Sequence, residues 1–201
     1  MQGLHGLVVC GGLSTRMGAD KSMMIYHKKP QWQHVFELLE GLCQTVSISC
    51  NKNQLANFPL GYPTVVDDEA FQEIGPMGAL LTAMKNHPTD SFFAVGCDYP
   101  MVTSESLKLL VVARNPDAET VCFCHPSDKA DEPLLAIYEP AIHPRLRDFF
   151  SKSNFSLQQV LQQSTAQRVA LRDPSILINA NTVSEARHIH LSMNTTLNLK
   201  S

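Results

Sequence analysis

Leu7-Val8-Val9-Cys10-Gly11-Gly12-Leu13-Ser14-Thr15-Arg16-Met17-Gly18-Ala19-Asp20-Lys21 decides how the chain reads. A short apolar run closed by two glycines describes a strand buried on both faces. The glycine-rich stretch after it carries two cations. Glycines let a backbone come close to a phosphate, and successive N–H groups can form an anion-binding nest. Arg16 offers a planar, forked donor and Lys21 a compact point charge, and a triphosphate uses both kinds. The spacing fits neither G-x-G-x-x-G nor G-x-x-x-x-G-K-[ST], so dinucleotide and P-loop readings lose their main support. A surface turn with two solvated cations is the competing explanation.

Outward from this stretch, strand and helix patterns alternate. Pro30 precedes a helix over Gln31–Leu42, with Val35, Leu38, Leu39 and Leu42 at helical spacing. Val46–Cys50 and Thr64–Val66 read as strands, Gly78–His87 as a helix and Phe92–Cys97 as a strongly apolar strand. A helix begins near Ser104, with that serine as its expected cap. Val121–Cys124 and Leu134–Tyr138 read as strands across a polar turn containing Asp128, Lys129, Asp131 and Glu132. Helices follow over Ala141–Phe150 and Ser156–Gln163, then short strands at Val169–Leu171 and Leu177–Ile178. This alternation predicts a three-layer α/β/α sandwich around a mostly parallel sheet. A single domain over residues 1–190 is expected, with a polar, aperiodic and frayed tail over 191–201.

Composition narrows the function classes. The 201 residues are 44 % hydrophobic and 17 % charged, which is globular. Sixteen basic and 19 acidic residues give a formal charge of -3, so nothing favours a nucleic-acid polyanion and any phosphate binding must be local. No apolar stretch reaches the ~20 residues that span a bilayer. The start, Met1–Gly6, lacks the charged opening of a signal peptide, so the cytoplasm is the expected compartment. Six cysteines occur at 10, 43, 50, 97, 122 and 124 without a C-x-x-C pair, and read as small core hydrophobes. Cys122-x-Cys124-His125 lacks the second ligand pair of a metal site.

Ligands of open α/β sheets bind beyond the carboxyl ends of the strands. Asp98, at the end of Phe92–Cys97, suits magnesium, which is commonly held by a carboxylate, phosphate oxygens and water; an Asp capping the next turn is the alternative. Asp67 and Asp68 follow another strand; one is a ligand candidate and the other a turn residue. Gly75-Pro76-Met77-Gly78 opens a helix whose free N–H groups could meet an anion or a base edge. Asn179 and Asn181, at i and i+2, can share one face of an extended segment as neutral ligands beside a metal. Trp32 reads as core or interface.

Together these pieces resemble the molybdenum cofactor guanylyltransferase (MobA-like) family, among the nucleotidyltransferases with a Rossmann-like fold. The signature L-A-G-G-x-S-x-R-M-G-x-D-K is matched from Val9 to Lys21, with Val9 and Cys10 in its first two places. Gly75-Pro76-Met77-Gly78 resembles G-P-L-x-G, and Cys97-Asp98-Tyr99-Pro100 resembles C-D-x-P. Glu132–Tyr138 resembles the P-L-x-A-x-Y strand, and Asn179-Ala180-Asn181-Thr182 resembles N-x-N-T-P with Val183 in place of the proline. The matches run in order from about residue 7 to 185.

The resemblance implies a fold of the nucleotide-diphospho-sugar transferase type and transfer of GMP from GTP to molybdenum-molybdopterin, releasing pyrophosphate. It implies Mg²⁺ on Asp98; Arg16, Lys21 and Asp98 as catalytic; and Gly11, Gly12, Lys21, Asp67, Gly78 and Asp98 at the nucleotide. Asn179 and Asn181 fall on the acceptor side. Gly11-Gly12 leans toward guanine. Expected partners are GTP and molybdopterin, with delivery or acceptor molybdoenzyme proteins, and the chain is expected as a monomer or small homo-oligomer. A cytidylyltransferase, a sugar-phosphate nucleotidyltransferase and a non-catalytic nucleotide-binding domain stay open.

Overall fold

A computed structural model of the chain describes residues 3–11, 20–115, 117–127, 130–171, 173–180 and 185. Seven strands are described: β1 Leu4–Val9, β2 Thr45–Cys50, β3 Thr64–Val66, β4 Ser91–Gly96, β5 Thr120–Cys124, β6 Asp131–Tyr138 and β7 Ala166–Ala170. They form one sheet in the order β3-β2-β1-β4-β6-β5-β7. Among the described residues five helices pack on it: α1 Gln31–Glu40, α2 Pro76–Asn86, α3 Ser104–Val112, α4 His143–Ser151 and α5 Leu157–Gln163.

Every residue of β1 is buried, as its unbroken apolar character requires at the centre of a sheet covered on both faces. Alternation along the strands divides the core in two. Val8, Ile48, Phe93 and Val95 pack with Val35 and Leu39 of α1 and Leu107 and Leu110 of α3. Leu7, Val9, Phe92 and Ala94 pack with Leu80 and Met84 of α2, Leu146 of α4 and Leu161 of α5. This is the expected α/β/α sandwich. Trp32 lies in the first core at 2 % exposure, edge-on to Phe58 and Tyr62.

The sheet is parallel except at β6, which runs antiparallel to both β4 and β5. That strand corrects the polar turn expected to contain Asp131 and Glu132, which are instead its first two residues. Asp131 is buried because Arg168 of β7 clasps it, Nε to Oδ1 at 2.8 Å and Nη2 to Oδ2 at 2.9 Å. A bidentate guanidinium supplies the hydrogen bonds that water would otherwise give a carboxylate.

Two further expectations change. Leu177–Ile178 is not a strand: Pro174–Leu177 forms a 3₁₀ turn, started by Asp173 accepting from Ser175 N at 2.9 Å. Ser104 does not cap α3; Thr103 does, in a reciprocal box with Ser106 at 3.2 and 3.0 Å. Residues 186–201, and with them the expected tail, lie outside the described residues.

Candidate active site

Strand order builds the site. The chain winds from β1 through β2 to β3 on one side, then returns to place β4 on the other side of β1. Crevices open beyond the carboxyl ends where the winding reverses. The residues just past those ends are Cys10 and Gly11, Asn51, Asp67, and Cys97 and Asp98.

Gly11, Asn51, Asn53, Asp67, Glu73 and Gly75 line a cleft of about 450 Å³. A Cβ on Gly11 would stand in ordinary contact with Asp67 Oδ2, at 3.6 Å, so the two residues are close neighbours in this wall. Burial pushes the Asp67 carboxyl up to about 6, against the Ser49 hydroxyl that donates to it at 3.4 Å. Asp68 plays a structural part, capping the following turn through Ala70 N at 3.0 Å and accepting from Lys85 Nζ at 2.5 Å.

Gly75 starts α2 with φ +67 and ψ −150, a backbone conformation open essentially to glycine alone, and Pro76 follows at the first helical position. Gly78 does not line the cleft. It is buried, and a Cβ there would come 2.2 Å from the Phe71 carbonyl oxygen. Its glycine lets α2 press against that turn, which sets where Gly75 meets the cleft.

Asp20 and Cys10 flank the glycine-rich segment and share a brace. Gln54 Nε2 donates to Cys10 O at 3.1 Å and to Asp20 Oδ2 at 2.9 Å. Asp20 also caps the short turn carrying Lys21, accepting from Ser22 N at 3.0 Å. Gly12 and Arg16 lie outside the described residues, as does Asn181.

Asp98 brings the other half together. Its carbonyl oxygen accepts from Ala180 N at 2.8 Å, which draws Asn179 and Ala180 to the end of β4. Burial raises the Asp98 carboxyl above its usual range, and the charge of Lys21 opposes that rise. Asp98 Oδ1 and Asn179 Oδ1 are both buried and find no hydrogen-bond partner among the described residues. Buried oxygens are ordinarily satisfied, so two orphans in one place call for an outside partner. A hard divalent cation with oxygen ligands fits this donor set.

The loop after Asp98 is held from several sides. Gln31 Nε2 donates to Tyr99 O at 3.2 Å and His27 Nε2 to Pro100 O at 2.8 Å. Burial, then Asp98 and Glu132, push the Tyr99 phenol well above its ordinary range. Burial also raises the Glu132 carboxyl, which meets His125 Nε2 at 3.1 Å.

The sequence does not single out Asn51, Gln54 or Gln31, and it offers Glu132 only as a turn or strand residue. Asn51 carried a usable signal, since it follows β2 as Asp67 follows β3. Gln54 and Gln31 carried none, because each acts through a carbonyl distant in sequence.

The chain is 30 % identical over 170 residues to a molybdenum cofactor biosynthesis bifunctional protein of Synechocystis, covering 83 % of this chain and 48 % of that protein. It thus spans about half the length of that relative. It is 26 % identical over 181 residues to a molybdenum cofactor guanylyltransferase of Vibrio parahaemolyticus, covering 89 % and 91 % of the two chains. The crystal structure of molybdopterin-guanine dinucleotide biosynthesis protein A from Archaeoglobus fulgidus shares the fold, with a TM-score of 0.77 and 17 % identity over 95 % of this chain and 99 % of that one. A family model matching residues 6–169 spans β1 to β7 and every described site residue but Asn179, and the chain belongs to the family it defines, the MobA-like NTP transferase domain.

Proposed function

We propose that the chain transfers GMP from GTP to the terminal phosphate of molybdenum-molybdopterin and releases pyrophosphate, yielding the guanine dinucleotide form of that cofactor. The observation that carries this reading is the pair of buried oxygens without a partner among the described residues, Asp98 Oδ1 and Asn179 Oδ1, at the end of the strand facing Lys21. The name of the Vibrio relative, a molybdenum cofactor guanylyltransferase, supports this acceptor and this base.

Asp98 and Asn179 would hold Mg²⁺, and Asn181 is assigned to the acceptor side. When bound, the ion supplies charge neutralisation to the phosphates. Lys21 and Arg16 take up negative charge on the transferring phosphoryl group and the departing pyrophosphate. The acceptor is a phosphate monoester whose second pKa is ~6, so it is largely ionised at neutral pH and needs no general base. The site's work is then positioning and electrostatics.

Gly11 and Gly12 let the backbone approach the nucleotide, and Asp67 faces it across the cleft. Gly78 serves the nucleotide at one remove, by seating α2. Among the described residues no helix is long and apolar enough to cross a membrane. We place the reaction in the cytoplasm, in a monomer or small homo-oligomer that exchanges cofactor with delivery or acceptor molybdoenzyme proteins.

The test is product identification. Incubation with GTP, Mg²⁺ and molybdenum-loaded molybdopterin should yield a species heavier by one guanylyl group (GMP less water), with pyrophosphate in equal amount. Recovery of unmodified molybdopterin after exhaustive incubation contradicts the proposal.

A further inference from the structure

Cys10 and Cys97 bring their sulfurs to 3.1 Å at the carboxyl edge of the sheet. The register dictates the meeting. β1 and β4 run parallel with Val9 opposite Gly96, so the next residues outward stand side by side. The ladder continues past the strand ends, with Cys97 N donating to Val9 O at 3.3 Å. Neighbouring strands lie ~4.8 Å apart, within the ~4.4–6.8 Å Cα separation that a disulfide spans. Both residues are free thiols; Cys10 is half-buried and Cys97 buried. Their neighbours in sequence are Gly11, which leads into the glycine-rich segment, and Asp98.

We propose that Cys10 and Cys97 form a reversible oxidation site that shuts off transfer by locking the ends of β1 and β4, an inference that rests on the activity proposed above. The oxidant is a hydroperoxide. Cys10 sulfur, on losing its proton, attacks a peroxide oxygen; the O–O bond breaks and one water leaves after proton uptake. Cys97 sulfur then attacks the resulting sulfenic sulfur, the S–O bond breaks, and a second water leaves. Two thiols and one hydrogen peroxide give one disulfide and two waters, with two electrons passing from sulfur to oxygen. A dithiol reverses the step by exchange.

Closure draws the sulfurs from 3.1 Å to a bond of ~2.05 Å. The site has little slack to absorb this. Asp98 Oδ1 lies 2.6 Å from where a Cβ on Gly96 would stand, and Leu134 lies 3.2 Å from the same point. On the other strand, Cys10 O is tied to Gln54 at 3.1 Å. A displacement of ~1 Å at reacting groups can cost about 10²-fold in rate. Burial first, then Cys97 and Asp20, push the Cys10 thiol well above its usual range, which keeps oxidation slow and makes it a response to sustained peroxide.

The test exposes the full chain to hydrogen peroxide for graded times. Peptide mapping without reductant scores the Cys10–Cys97 cross-link, and pyrophosphate release is read before and after dithiothreitol. Cross-link and inactivation should rise together, with the cross-linked protein about tenfold slower or worse and restored by dithiothreitol. Cys10→Ala, which installs the residue of the family signature, should lose none of its own untreated rate to peroxide. Cross-linked protein at full rate, inactivation without that cross-link, or Cys10→Ala inactivated as fast as wild type each overturns the proposal. If the reduced protein releases no pyrophosphate, the transfer reading fails, and GTP affinity becomes the second readout. About tenfold weaker GTP binding on oxidation, reversed by dithiothreitol, then supports the site, and unchanged binding overturns it.

Discussion

Ala180 N donates to the carbonyl oxygen of Asp98 at 2.8 Å, joining the last described segment of the chain to the end of β4. This bond explains how an asparagine beyond the seventh strand shares a site with an aspartate beyond the fourth. At the same place Asp98 Oδ1 and Asn179 Oδ1 are buried without a hydrogen-bond partner among the described residues. Leaving two such oxygens unsatisfied costs ~1–3 kcal/mol each, a cost that a bound cation removes.

Asp98→Ala should therefore lower turnover by about 10³-fold or more, while far-UV circular dichroism stays unchanged. Asn179→Ala should weaken the apparent Mg²⁺ affinity at least about tenfold, in a Mn²⁺ titration followed by electron paramagnetic resonance with GTP present. Wild-type Mn²⁺ binding in both variants would remove these residues from the metal.

Lys21→Ala should depress kcat by about 10²–10³-fold, with KM for the acceptor changing less. An interaction made mainly in the transition state leaves that signature. Steady-state kinetics varying the acceptor decides it, and an unchanged kcat would put Lys21 away from the reacting phosphates.

Asp67 links stability to pH. Its carboxyl is raised by burial from 3.8 to about 6, so folding favours the protonated form. The stabilising contribution is complete below the unfolded value near 3.8 and is lost as pH rises through about 6. After discount for its partial exposure the loss is at most about 2 kcal/mol. Urea melts of the ligand-free protein between pH 4 and 7 should show this decline, and Asp67→Asn should flatten it.

Gly78→Ala should destabilise more than an ordinary helix substitution, because its Cβ would fall 2.2 Å from a carbonyl oxygen of the main chain. A cost of about 2–4 kcal/mol is expected from overpacking against backbone. Because the clash also displaces the start of α2, KM for GTP should rise. Thermal unfolding and nucleotide kinetics read the two effects separately.

Much of this architecture was legible because polarity changes abruptly at strand ends. Apolar runs stopping at Cys10-Gly11, Val66-Asp67 and Cys97-Asp98 mark both the strands and the edge where ligands bind. Glu132 and Asp131 were illegible for the opposite reason. They are polar and sit beside a turn, so local chemistry reads them as part of it, whereas burial by Arg168 and the antiparallel pairing of β6 are long-range facts. Leu177–Ile178 misled similarly: two apolar residues look like a strand, but Asp173 and Pro174 favour a turn. The brace by Gln54 depends on the chain first closing around the glycine-rich segment, and no local pattern encodes it.

The most direct test of the central claim is pyrophosphate release with Mg²⁺ and a molybdopterin acceptor, comparing GTP, CTP, ATP and UTP side by side. Turnover selective for GTP, lost in Asp98→Ala, is the predicted result. Turnover selective for CTP would contradict the guanine assignment and leave the fold and phosphate chemistry standing. No turnover with any nucleotide would contradict transfer to this acceptor altogether.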